Sequence, residues 1–159
     1  MSMNLAHKTR SVILIFVAML LASCGGGGGG GSPPPPPPPP TINEIEPNDT
    51  VAQVQVVTFP ATISGSTIGD ILDSVPAVDL DAYRFTLASA QTVTIVLTGG
   101  TSQDMDLSLF DSGGMEIGFS IGDQTSNETI TMSLVAGTYD VVVFPFLVDV
   151  TTTYTLSIQ

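Results

Sequence analysis

A chain of 159 residues, 43% of them hydrophobic, holds enough apolar material for one buried core, and its formal net charge of −12 comes from 15 acids set against three bases. Lys8 and Arg10 stand near the N-terminus, so from residue 24 onward Arg84 alone faces all 15 acids, a net charge of −14. Such a surface repels nucleic acid and anionic lipid, which excludes both as electrostatic partners, and it offers oxygen ligands to cations.

The first 23 residues read as an export signal. Lys8 and Arg10 supply a positive start, and the apolar run 12–22 is too short to span a bilayer as a stable helix. Leu21, Ala22, Ser23 and Cys24 resemble the bacterial lipobox, in which small residues admit the signal peptidase and the cysteine thiol receives a diacylglycerol. Cys24, the sole cysteine, is then the lipidated N-terminus of the mature chain. Two acyl chains on one residue suffice for stable anchoring, whereas a single chain binds only marginally. Gly25 stands where an aspartate commonly marks inner-membrane retention, so the expected location is the cell envelope, on the outer membrane if the host has two.

Residues 24–42 form a linker of two homopolymers, glycine at 25–31 and proline at 33–40. Neither can build a core. Glycine gives a flexible coil and proline a stiff polyproline II rod of roughly 25 Å, so a disordered tether with a spacer is expected. The proline run also has the character of a docking site for an aromatic-lined groove, but spacing is the simpler use.

Residues 43–159 are long enough for one domain, and their periodicity is that of strands. Strands are predicted near 51–59, 61–64, 83–87, 92–98, 106–110, 116–121, 129–135, 139–144 and 153–158. In the run 92–98, Val93, Ile95 and Leu97 share one face while the other is mostly hydroxyl, the pattern of a half-buried sheet. Glycines at 99–100, 113–114, 122 and 137 punctuate the runs. Many short strands at even spacing imply an all-β, antiparallel β-sandwich. Phe144, Pro145, Phe146, Leu147 and Val148 make an apolar segment where a turn should be polar; it is expected either to form a contact patch or to fold over one end of the sandwich.

Four ordered blocks in this region resemble the bacterial pre-peptidase C-terminal domain. They are Glu44-Ile45-Glu46-Pro47-Asn48-Asp49-Thr50, then Asp79-Leu80-Asp81-Ala82-Tyr83-Arg84-Phe85, then Asp104-Met105-Asp106-Leu107-Ser108-Leu109-Phe110-Asp111, and finally Leu134 to Tyr139 with Tyr154-Thr155-Leu156. The resemblance implies a jelly-roll-like β-sandwich that serves as an accessory to a secreted protease or other hydrolase. In clostridial collagenases, relatives of the family bind collagen and calcium. Here no peptidase precedes the module, so its role as an appendage is open. A non-catalytic role is expected.

For calcium, the resemblance points to the segment at Glu44. In an extended chain alternate side chains share a face, so Glu44, Glu46 and Asn48 are expected to point one way and Asp49 the other. A hard cation wanting six to eight oxygens needs more than one short segment, and the resemblance suggests Asp79 and Asp81 as the remaining ligands. The alternative is that these acids are solvated around a simple turn.

The inventory of reactive groups is thin. His7 leaves with the signal, Cys24 is acylated, and no lysine remains in the mature chain, which excludes Ser-His-Asp, Cys-His and Ser-Lys chemistry and a histidine-ligated catalytic zinc. Leu109-Phe110-Asp111-Ser112-Gly113 resembles the active-site loop of aspartic proteases, but only one copy is present and the same residues suit a hairpin turn. Tyr83, Tyr139 and Tyr154 are expected to bury their rings and leave their hydroxyls at the edge. The leading expectation is therefore a membrane-anchored, calcium-binding β-sandwich module whose partner is an extracytoplasmic protein or polysaccharide. A structural envelope lipoprotein with no specific ligand, and an aspartyl-type hydrolase, stand as the alternatives.

Overall fold

The computed structural model describes residues 37–69, 78–100, 103–122 and 126–159. The export signal, Cys24 and the linker as far as residue 36 lie outside the described residues. Nine strands follow: β1 (Thr41–Asn43), β2 (Gln55–Val56), β3 (Ala61–Gly69), β4 (Asp81–Leu87), β5 (Gln91–Thr98), β6 (Asp104–Asp111), β7 (Glu116–Ser120), β8 (Asn127–Leu134) and β9 (Gly137–Ile158). No helix occurs among the described residues.

The strands form two sheets that share β9. In the first sheet the order is β1-β3-β9-β5-β8, with the second half of β9 at the centre. In the second it is β2-β4-β9-β6-β7, with the first half of β9 at the centre. The long strands pair antiparallel as the alternation predicts, but β1 and β2 pair parallel with β3 and β4 and depart from a purely antiparallel sandwich. Both are edge strands of two or three residues that lead into the fold rather than hairpin arms.

Alternation decides which side chains meet. Ile63, Val93, Ile95, Leu97, Leu156 and Ile158 of the first sheet face Phe85, Met105, Leu107, Leu109, Val141 and Val143 of the second, all almost fully buried. Phe59, Phe85 and Tyr139 stack in sequence, with ring centroids 5.9 and 5.7 Å apart. The opposite face of the first sheet is hydroxyl-bearing, with Thr92 paired to Ser133 at 3.2 Å and Thr94 to Thr131 at 3.3 Å.

Two sequence expectations need correction. The strand expected at 51–59 shrinks to Gln55–Val56 behind a turn in which Gln53 N donates to Thr50 O at 2.9 Å. The apolar segment from Phe144 to Val148 is neither a turn nor an end cap; it is the part of β9 that passes from one sheet to the other. Around it the register slips, since Met105 pairs with Pro145 but Asp104 with Leu147, and Val148 then pairs with Gly69 of the other sheet. Pro145 and Val148 are buried, which is why no polar residues interrupt the run. The strands expected at 139–144 and 153–158 are thus one element.

Candidate metal centre

At one end of the sandwich the segment after β1 is tied down from several sides. Glu44 N donates to Ser64 O at 2.9 Å, Ile45 N to Gln55 Oε1 at 2.9 Å, and Ala82 N to Asn48 O at 3.1 Å. The Glu46–Pro47 bond is cis. Asp79 enters from the other strand pair, its amide donating to Ile68 O at 3.0 Å while its carbonyl accepts from the Thr67 hydroxyl. Asp81 opens β4 and is completely buried.

These constraints bring the predicted acids together. Carboxylate oxygens of Glu44, Glu46 and Asp81 lie within 4.8 Å of one another, and so do those of Glu46, Asp49 and Asp79. Two oxygens on a common calcium ion at roughly 2.4 Å each can be no more than about 4.8 Å apart, so each triad has the spacing of a shared hard cation. Glu46 belongs to both. The alternation expected Asp49 to point away from Glu44 and Glu46, but the segment is bent rather than extended and Glu46 is grouped with Asp49 as well as with Glu44.

Asn48 is fully buried between the two glutamates. Its backbone amide donates to Glu46 Oε2 at 3.1 Å, and one arm of its side-chain amide is 3.3 Å from Glu44 Oε1. The other arm is 3.0 and 3.1 Å from the two oxygens of Glu46. With its nitrogen turned toward Glu46 the amide donates to that carboxylate and both its ends are satisfied. The repulsion that remains is among the carboxylates themselves, and a cation or a proton relieves it.

Two tyrosines complete the cluster. Tyr83 lies two residues beyond Asp81 on β4, and its hydroxyl donates to Glu44 Oε1 at 2.7 Å. Tyr154 on β9 donates to Asp81 Oδ2 at 2.8 Å and stands 2.6 Å from the Tyr83 hydroxyl. Ser66 N donates to Glu44 Oε2 at 2.8 Å. Tyr154 reaches this position by lying over Gly65, where a Cβ would meet Tyr154 Cζ at 2.5 Å. The rings are buried as expected, but the hydroxyls of Tyr83 and Tyr154 enter the acidic cluster. Only Tyr139 follows the simpler expectation, its hydroxyl donating to Val135 O at 2.9 Å.

The electrostatics follow from burial and crowding. Burial, reinforced by the adjoining Glu44 carboxylate, pushes Asp81 up to about 10. Burial and the charges of Glu46, Asp49 and Glu44 push Asp79 up to about 6. Glu46 is raised by burial and by its neighbours Glu44 and Asp49. Burial would raise Glu44 too, but the Asp81 carboxyl, the Tyr83 hydroxyl and the amides of Ser66 and Asn48 outweigh it and hold Glu44 below the usual carboxylate range. Burial keeps both phenols protonated, so they act as donors. Asp81 Oδ1 is buried with no hydrogen-bond partner among the described residues. A buried carboxylate oxygen without a donor, on a residue grouped with Glu44 and Glu46, suits a cation ligand, and a set of carboxylates with a side-chain amide is that of a hard ion.

The protease-like loop has a different use. Asp111 Oδ1 accepts from Gly113 N at 2.8 Å and Met115 N at 3.0 Å, closing the β6–β7 hairpin, and Gly114 at φ +77° supplies the left-handed residue of that turn.

Fold and site define an all-β sandwich module with a cluster of acids where the segment after β1 meets the start of β4. Residues 79–145 match the family model of the bacterial pre-peptidase C-terminal domain, and over that segment the resemblance is established. The matched stretch takes in the blocks at Asp79 and Asp104 and that from Leu134 to Tyr139. It begins after Glu44–Asp49 and ends before Tyr154. Among solved structures, the pre-peptidase C-terminal domain of a Bacillus anthracis collagenase is similar in fold, with a TM-score of 0.55 and 21% identity over 67% of this chain and 94% of that one. A periplasmic inhibitor of g-type lysozyme from Aeromonas hydrophila aligns with a TM-score of 0.39 and 20% identity over 67% of this chain and 97% of that one. Its counterpart from Salmonella Typhimurium aligns at 0.38 and 15% over 66% and 99%. No curated protein sequence matches the chain.

Proposed function

We propose that this chain is a lipid-anchored, non-catalytic binding module of the cell envelope, whose sandwich holds calcium at the Glu44–Asp81 cluster and presents its surface to an extracytoplasmic protein or polysaccharide. The observation that carries the cation reading is the pair of acid triads that share Glu46, one formed with Glu44 and Asp81 and the other with Asp49 and Asp79, together with an Asp81 oxygen that is buried without a hydrogen-bond partner among the described residues. When bound, calcium supplies positive charge to acceptors that otherwise repel one another. Glu46 is the exposed member through which the ion enters, while Tyr83, Tyr154 and Ser66 N fix the inner carboxylates. Anchoring through Cys24, on the outer membrane of a double-membraned host, is supported by the lipobox-like sequence and by the glycine after it.

Thermal melts at matched ionic strength test the site, because a chain this acidic gains something from any cation by screening. At 100 times Kd, calcium should stabilise the wild type by about 2.7 kcal/mol. Magnesium should do less, and Glu46→Ala combined with Asp81→Ala should abolish the difference. Equal shifts for the two ions, or a calcium-specific shift that survives the double substitution, would remove the site.

A further inference from the structure

The two outer faces of the sandwich differ in kind. That of the first sheet is lined by threonine and serine hydroxyls. That of the second carries an open groove of about 230 Å³ whose walls are Val51, Leu80, Phe110, Val142 and Phe144. Asp49 and Asp140 stand on its rim. A volume just under the usual range of roughly 300 to 1,000 Å³ for a small-molecule site suits one large side chain better than a cofactor.

The charge around the groove narrows its occupant. Arg84, the only base in the chain beyond Arg10, is already held by Asp140, with Nε and Nη2 each donating at 2.7 Å to separate carboxylate oxygens. Asp140 and Arg84 thus offset each other, and the acidic side of the groove is that of Asp49, which is grouped with Glu46 and Asp79; together with the chain's net negative charge this repels anionic lipid. Among the described residues a second copy of this chain offers only Arg84, already paired with Asp140, and it brings a net charge of the same sign.

We propose that this groove is a docking site for a cationic polypeptide that inserts one large apolar or aromatic side chain between Phe110 and Phe144 while its lysines or arginines face Asp49 and its acidic neighbours Glu46 and Asp79. The inference rests on the binding-module reading and names the class of partner and the place. It does not require calcium, although Asp49 is common to the groove and to one acid triad.

The protein has no tryptophan, so a tryptophan in a probe peptide reports binding without background. The full chain, in a neutral detergent, is titrated into a lysine-rich pentapeptide with a central tryptophan, in calcium and in EDTA. A blue-shifted, saturable signal is expected, and replacing the tryptophan by alanine should weaken binding at least tenfold. Phe144→Ala should have a similar effect. Val142→Asp adds negative charge while spoiling the apolar floor, so it should weaken binding, whereas Thr131→Asp on the opposite face should not. Equal binding of the two peptides, or undiminished binding by Phe144→Ala and Val142→Asp, would show charge attraction alone and overturn the groove. Should Val142→Asp fail to fold, Phe144→Ala at the half-exposed rim decides. Dimerisation through this face that excludes the peptide would also overturn the proposal. Absent peptide binding in a protein with an intact calcium-specific melting shift removes the docking site and leaves the cation site standing; the opposite pattern removes the cation site alone.

Discussion

In cation-free buffer the folded chain should lose stability as pH rises, and Asp81→Asn should remove most of that loss. Asp81 titrates near 3.8 when exposed in the unfolded chain and is pushed up to about 10 in the folded one. Between those values the folded state holds a proton that the unfolded state has released, so its contribution is fully present below about pH 4 and declines as pH climbs toward 10. Each pH unit within that window costs up to about 1.4 kcal/mol per group. From pH 5 to 8 the loss from Asp81 is at most about 4 kcal/mol, which at roughly 4 °C per kcal/mol is a drop in Tm of as much as about 16 °C. Asp79, pushed up to about 6, adds a loss confined to the interval between about pH 4 and 6. General repulsion among the other acids lowers both proteins alike, so the readout is the difference between wild type and Asp81→Asn, measured by circular dichroism melts in EDTA at pH 5, 6, 7 and 8. Asparagine is neutral at every pH and nearly the same shape, so the variant should be the more stable protein at pH 8, with the gap closing toward pH 5. Saturating calcium should flatten the wild-type profile by taking the proton's place, and should leave the variant's profile almost unchanged. A wild type equally stable at pH 5 and pH 8 in EDTA, or two profiles that run parallel, would refute the account of Asp81.

Two further outcomes are expected. Gly65→Ala should destabilise the fold by about 1 to 3 kcal/mol in urea titrations, because the new methyl meets the Tyr154 ring, and it should also shrink the calcium-induced shift by displacing the Tyr154 hydroxyl from Asp81. Cys24→Ala should release the protein from membranes on fractionation; a variant still cut at the same bond and still sedimenting with membranes would contradict lipid anchoring.

Much of the fold was legible because sheet alternation is a local signal. Val93, Ile95 and Leu97 announce their shared face without any knowledge of their neighbours, and all three are buried as read. What could not be read were features fixed by pairing at a distance. Nothing near Phe144 signals that its strand changes sheets, because an apolar run leading from one buried environment to another looks the same as an apolar loop. The parallel pairing of β1 depends on where Thr62 lies, which the residues around Thr41 do not record. The acids of the candidate site were legible because a divalent cation demands many oxygens, and three of them, Glu44, Glu46 and Asp49, sit in one short segment with Asn48. Tyr83 had a signal that went unused: two residues beyond Asp81, it shares that residue's face of β4. Tyr154 had none in its own vicinity. Its place follows from the register that sets it opposite Gly65, where the missing side chain makes room for the ring.

The path of β9 bears on how such a chain can be made. The middle of both sheets is supplied by the 22 residues of β9, and just beyond it Gln159 N donates to Thr94 O at 2.9 Å and Thr94 N to Gln159 O at 2.7 Å. Until that stretch is available, β3 and β5 lack the strand that lies between them, as do β4 and β6. Half a sandwich therefore cannot be laid down while the remainder is still being synthesised or threaded, and the late, long-range pairings leave the polypeptide extended through that interval. A passage through a narrow translocation channel requires that same delay.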